Sequence, residues 1–183
     1  KKNIIIAKNI LSPLNIKALF FIPTGFINTV NRNQQKNYIS ANLYNNNLSK
    51  NSLTDEMSPM SWDDLIYLHQ NGHLIGAHTV SHSRLTQLHS YESLKNEIID
   101  CGKNLNNILG TSIDHFAYTF GDISSINTEV MNIIKDNYKY CHSAIRGNNT
   151  ADSNPYALLR DPISPKDPLE YVQFLIENGL GLL

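Results

Sequence analysis

The segment Lys17-Ala18-Leu19-Phe20-Phe21-Ile22, closed by Pro23-Thr24-Gly25, constrains the fold of this chain more than any other. A nearly continuous apolar run ended by strand breakers reads as a strand buried on both faces, the habit of a parallel sheet. A parallel strand reaches its neighbour only through a long crossover, usually helical, so helices are expected between the strands. Residues 3–12 form a short apolar helix pattern that must stop before Pro13, because the residue preceding proline is pushed out of the α region. Ser61, with Asp64 three residues on, is a capping signal for a helix that carries Leu65, Leu68 and His69 on one side and stops at Gly72. The strand Leu74-Ile75-Gly76-Ala77 follows.

The unit then recurs. Ser90 caps a helix whose apolar stripe Leu94, Ile98, Cys101, Leu105 and Ile108 steps by four, three, four and three residues, and Gly110 ends it. Next come a strand at 113–118, a helix opening at Asn127 and carrying Val130, Ile133 and Ile134, and a strand around 139–145. A last strand near 157–163 precedes a helix from Pro168, at the favoured first position, to Asn178. Helix and strand alternating at this spacing mean an α/β fold with a parallel sheet and covering helices, either an open doubly wound sheet or a barrel. Residues 29–59 are polar and Asn-rich, with Tyr38, Ile39, Leu43 and Tyr44 as local anchors, and read as a long excursion of the kind that carries function or moves. No repeat or Pro/Gly/Ser linker divides the chain, so residues 1–183 are read as a single domain.

Composition excludes some functions. The 15 Lys+Arg against 16 Asp+Glu leave a formal net charge of −1, without the positive field of proteins that track nucleic acid or an anionic membrane. No nucleic-acid partner is expected. No apolar run approaches the roughly 18 residues of a transmembrane helix. Cys101 and Cys141 form no CxxC pair and read as core residues. Composition leaves the oligomeric state open.

The histidines are the chemical signal. Five of the seven, His69, His73, His78, His82 and His89, fall between positions 69 and 89, and the strongest segment is Gly76-Ala77-His78-Thr79-Val80-Ser81-His82. In parallel α/β folds the carboxyl ends of strands present the reacting groups, and two imidazoles four residues apart leaving such an end can point at one ion. Neutral imidazole suits Zn²⁺ and its neighbours, and an open catalytic site needs one more protein ligand, often a carboxylate, plus water. A bare HxxxH equally fits two polar surface or capping residues. His69 and His73 straddle Gly72 and share no helical face, which argues against a second metal pair.

Three segments in order resemble the polysaccharide deacetylase family, the NodB-homology group of carbohydrate esterases. The stretch from Ser61-Trp62 through Gly76-Ala77-His78-Thr79 and His82 to Arg84-Leu85-Thr86-Gln87-Leu88 is similar to the family's second motif, a strand running into His-(Ser/Thr)-x-x-His. Ala18 to Ile27 resembles the strand that follows the first motif, and Phe116-Ala117-Tyr118-Thr119-Phe120-Gly121-Asp122 the third, with Thr119 where proline is usual. The resemblance covers roughly residues 1–145. It implies a distorted (β/α) barrel of about seven strands and removal of N- or O-acetyl groups, N-acetyl foremost, from a bacterial surface polysaccharide or related glycan. It further implies a divalent metal, zinc foremost, held by His78 and His82; a Phe120 backbone N–H that helps bind the oxyanion; an oligo- or polysaccharide partner; and a cell-envelope or periplasmic location.

The departures bear on chemistry. The family's first motif, Thr-Phe-Asp-Asp-Gly, supplies the general base and the third metal ligand, and no Asp-Asp-Gly occurs in the chain. Its expected place is just before Lys1, because the helix at 3–12 is the one that follows it; a degenerate relative that keeps the barrel and binds glycan without turnover is the alternative. The third-motif arginine that orients the base is replaced by Ala117, and Arg160, near the start of the last strand, is the candidate to approach the same place, with a surface arginine paired to Asp161 as the competing reading. The family's late Leu-x-His motif, source of the general acid, is not visible after residue 145, which leaves His142 as the candidate proton donor or an ordinary strand histidine. Tyr38, Tyr44 and Trp62 together are candidates to line a sugar groove.

Overall fold

The computed structural model describes residues 1–43, 54, 57–164 and 166–178. The apolar run becomes β1 (Leu19–Ile22), which pairs in parallel with β2 (Leu74–Ala77), Leu19 opposite Leu74 and Ile22 opposite Ala77. β3 (His115–Ala117) and β4 (Tyr140–His142) extend the sheet in the order β1-β2-β3-β4, every pair parallel. Chain order equals spatial order, so each crossover carries a helix and steps one strand along. Before β1 run α1 (Lys2–Ile6) and a continuing π-helical turn, Ala7–Leu11. Between β1 and β2 lie α2 (Thr24–Ile27), α3 (Arg32–Tyr38) and α4 (Trp62–Gln70). The later crossovers hold α5 (Tyr91–Leu109) and α6 (Thr128–Asn137), and α7 (Leu169–Asn178) ends the described chain.

Strand alternation sorts the two faces. Ile22, Ile75, Ala77, Phe116 and Cys141 share one face and form one buried cluster with Leu65 and Leu68 of α4, Leu94, Ile98, Cys101 and Leu105 of α5, and Val130 and Ile134 of α6. Both cysteines are buried and free. The other face carries Leu19, Phe21, His115 and His142, all half-buried, with Leu74 and Tyr140 exposed. The expectation of a strand sealed on both sides therefore holds for one face only, and the face turned from the helices is where the imidazoles collect.

Among the described residues the sheet has four strands, so closure about seven strands is not present there. The strand expected at 157–163 reduces to a bridge between His142 and Leu158, with Leu158 N–H donating to Cys141 O and Ser143 N–H to Leu158 O. The excursion at 29–59 is not wholly loop. Asn31 Oδ1 accepts the Gln34 amide and starts α3, and a π-helical turn, Ile39–Leu43, buries Ile39; Tyr44 lies outside the described residues. Ile108, on the sequence stripe of α5, is 42% exposed, Leu109 rather than Ile108 packing against the core there, and Gly110 ends the helix in the left-handed conformation.

The reciprocal cap on α4 forms as its spacing predicts. Ser61 Oγ accepts the Asp64 amide at 3.1 Å and Asp64 Oδ2 accepts the Ser61 amide at 2.9 Å. Ser61→Ala is expected to cost about 1 kcal/mol, lowering the melting temperature by about 2–4 °C in a scanning calorimetry trace.

Candidate active site

β2 ends at Ala77, and the next five residues fold back as a tight turn that brings His78 and His82 together, ring centroids 5.0 Å apart and edge to face. The turn demands unusual backbone. Thr79 (φ 64°) and His82 (φ 62°) are both left-handed, a conformation that costs a non-glycine residue about 1–2 kcal/mol, and Thr79 is β-branched as well. Thr79 is fully buried, its Oγ1 accepting the His82 amide at 2.9 Å and its carbonyl accepting the Thr24 amide at 3.3 Å. The backbone of Val80 is held at both its polar groups. Its carbonyl accepts from Gly25 N–H at 2.8 Å and from the Tyr38 hydroxyl at 2.9 Å, and its N–H donates to Glu97 of α5 at 2.9 Å. Gly25 is required there, since a Cβ would stand 2.6 Å from the Val80 carbonyl oxygen.

The imidazoles share one electronic state. His78 Nδ1 lies 2.7 Å from Ala117 O and His82 Nδ1 lies 3.0 Å from Asn42 O. A carbonyl only accepts, so each Nδ1 carries the proton and each Nε2 keeps its lone pair. Burial disfavours the charged form, pushing His78 down to about 4 and His82 below its ordinary value. Two neutral imidazoles with fixed tautomers and available Nε2 atoms are the donor set a borderline cation takes, with the backbone carbonyls as orienting partners. Among the described residues no three His, Cys, Asp or Glu side chains gather into a metal-holding group.

The third-motif segment closes one side. Phe120, also left-handed (φ 64°), sets its ring against His82 at 5.4 Å, and no hydrogen bond among the described residues takes up its amide. Arg84 lies over the same ring at 4.3 Å and grips Asp122 with two bonds of 3.0 and 3.1 Å. Hydrogen bonds from Arg84, Ser124 and Ser125 hold the Asp122 carboxyl well below the usual carboxylate range. Thr119, where proline is usual, is fully buried and donates its hydroxyl to Ser83 O at 2.6 Å, a bond that ties the two loops and that proline lacks. These loops border a cavity of about 450 Å³ lined by Asn42, His82, Ser83, Arg84, Gln87 and Phe120. A larger one, about 600 Å³, lies between α5 and α6 at the other end of the strands, beside Asp114, Lys139 and Tyr156, and no histidine lines it.

The remaining candidates are placed as follows. Arg160 makes no ion pair with Asp161; its Nε donates to Ser143 O at 2.5 Å and its guanidinium lies 5.1 Å from the Phe21 ring, close enough to His78 and His142 to disfavour a charge on either. The ring centroids of His142 and His78 lie 5.0 and 6.3 Å from that of Phe21, so Phe21 stands beside both imidazoles. His142 Nε2 is 3.0 Å from His115 Nδ1, and burial, His115 and Arg160 push it down to about 4, so it is neutral near pH 7. Tyr38 stacks on Phe26 at 5.0 Å and Trp62 Nε1 donates to Asn28 Oδ1 at 3.2 Å; neither lines the cavity beside His82. Sequence reading missed Asn42, Arg84 and Glu97. An Asn and a Glu whose partners lie 40 and 16 residues away leave no local signal, although Arg84 stands within the second-motif segment itself.

A protein-family model described as polysaccharide deacetylase matches residues 7–139. The chain belongs to the polysaccharide deacetylase family. That family is one of hydrolytic deacetylases, and the solved structures this member resembles are of the same kind. Streptococcus pyogenes deacetylase PplD, solved with acetate, superposes with a TM-score of 0.60 at 19% identity over 96% of this chain and 77% of its own. A polysaccharide deacetylase from Bacillus cereus gives 0.60 at 17% over 88% and 51%. A de-N-acetylase from Aggregatibacter actinomycetemcomitans gives 0.65 at 13% over 93% and 69%. The chain thus spans from about half to about three quarters of these proteins, and at such identities the likeness is one of fold. No match is found among curated proteins.

Proposed function

We propose that this single domain is a metal-dependent deacetylase that removes acetyl groups, N-acetyl foremost, from a bacterial surface polysaccharide or related glycan. One observation carries the reading: His78 and His82 leave a strand end as neutral imidazoles, each with Nδ1–H tied to a backbone carbonyl and Nε2 available. Their chemistry fits a divalent ion, zinc foremost. Held by His78 and His82, such an ion would supply the Lewis acidity that activates a water nucleophile and polarises an acetyl carbonyl.

The chain's own residues supply the setting. The Ala117 and Asn42 carbonyls fix the two ring orientations, and the Arg84–Asp122 pair fixes the Phe120 segment against His82. The Phe120 amide is the donor proposed to meet the oxyanion that develops on the substrate, and a preorganised N–H of this kind contributes about 3 kcal/mol to such a step. Arg160 is the proposed positive group on the sheet face turned from the helices. The seven-stranded barrel belongs to the same proposal, with β1 to β4 as its described part. No described carboxylate stands with the two imidazoles as a third ligand or base, which is the observation that keeps the glycan-binding alternative in play.

Acetate release from N-acetylated chitooligosaccharides, by the protein expressed from its whole reading frame, tests the reading. Turnover is expected, lost on dialysis against a chelator and regained with one equivalent of Zn²⁺. Oligosaccharide binding with no acetate released would establish the non-catalytic alternative.

A further inference from the structure

The turn between the two histidines has an anchor outside the residues the family resemblance names. Glu97 sits one helical step from the apolar stripe of α5, between Leu94 and Cys101, both buried; Cys101 Sγ contacts Ile22 O at 3.6 Å and fixes this face of the helix under the strand ends. The Glu97 carboxylate thus projects from a part of the helix fixed by the core. Its Oε2 accepts the amides of Val80 at 2.9 Å and Ser81 at 2.8 Å, and its Oε1 accepts the Ser81 hydroxyl at 2.6 Å. Bonds to an ionised acceptor are shorter and stronger than neutral ones, and three converge here on one carboxylate.

What they hold is the only stretch of chain between His78 and His82. Thr79 and His82 are both left-handed without being glycine, a conformation that persists only where the surroundings over-determine it. Glu97 takes the Ser81 amide while Gly25 and Tyr38 take the Val80 carbonyl, so the peptide joining Val80 to Ser81 cannot rotate without breaking bonds on both sides. Ser81 Oγ is also 2.6 Å from Ser83 Oγ, which carries the restraint past His82.

We infer that Glu97 is the positioning residue of the histidine pair: its carboxylate sets the turn that aims both Nε2 atoms at one ligand. The inference rests on reading His78 and His82 as metal ligands, and its test separates the two claims. Glu97→Gln keeps the size of the side chain but turns one acceptor into a donor facing donors. In the zinc-free variant the Val80 and Ser81 amides are expected to exchange with solvent at least tenfold faster, and the imidazole nitrogen resonances of His78 and His82 to move. Zinc affinity, from chelator competition, is expected to fall about 10–100-fold, the usual cost of losing an orienting partner. A merely structural role lowers the melting temperature and leaves the zinc affinity of the folded protein unchanged.

Exchange and zinc affinity within twofold of the parent overturn the inference, and so does weakened zinc with unchanged exchange. Should Glu97→Gln fail to melt cooperatively, Glu97→Asp, which keeps the charge and shortens the reach, is read by the same measurements. If the parent itself retains no zinc, the metal reading fails, and faster exchange with shifted imidazole resonances still supports Glu97 as the anchor of the turn while unchanged spectra overturn it.

Discussion

Replacing His78 by alanine is expected to lower zinc affinity by more than about 100-fold and to abolish acetate release, the largest single-residue effect the site offers. The figure exceeds the 10–100-fold that loss of an outer-shell partner costs, because a ligand itself is removed. Alanine also strips the Ala117 carbonyl of the Nδ1–H it accepts at 2.7 Å and leaves a void at a half-buried position, so His78→Ala alone confounds ligation with packing. His78→Asn separates them. Its amide nitrogen can occupy the place of Nδ1 and donate to Ala117 O, yet it presents no group at Nε2. The expected result is a variant that melts within a few degrees of the parent, binds zinc as weakly as His78→Ala and releases no acetate. A His78→Asn protein with parental zinc affinity would remove the imidazole from the metal site and the proposed function with it.

What was legible in the sequence was what a single element carries within itself. The stripe from Leu94 to Leu105, the Ser61–Asp64 box and the Asn127 cap are local patterns, and α5, α4 and α6 form on them. The run at 17–22 was legible as a parallel strand, but its burial on both faces was not, because that depends on what lies across the sheet. The stretch at 157–163 has strand composition and only a bridge forms, the Leu158 peptide pairing with β4 on its own. In the site, the spacing of His78 and His82 marked the pair. The carbonyls that choose their tautomers belong to Ala117 and Asn42, 39 and 40 residues away, and the carboxylate that fixes their turn sits on a helix face where Glu97 looks like any solvated glutamate. Tertiary proximity brings these groups to the pair, and no local pattern encodes it.

Acid should unfold the zinc-free protein in a window that the histidines define. Burial lowers His78 and His142 to about 4, and His73, His82 and His115 also lie below their ordinary value. The sign follows from which state binds protons. Below about pH 6.5 the unfolded chain takes up protons that the folded chain refuses, so stability present above 6.5 drains away as pH falls and levels off near 4. For His78, the shift from 6.5 to about 4 corresponds to about 3 kcal/mol. His142 is partly exposed and adds less. The carboxylates act elsewhere on the scale. Asp122 and Asp114 are lowered, so their contribution persists through this window and is lost only below the ordinary carboxylate range. Urea midpoints in chelator should therefore fall steadily from pH 6.5 to 4, and a flat profile there would show that the folded protein tolerates the imidazolium forms. The His78→Asn variant connects this result to the first. Having no imidazole at that position, it should lose about 3 kcal/mol less than the parent over the same window, so one substitution removes the proposed metal ligand and its share of the acid sensitivity together.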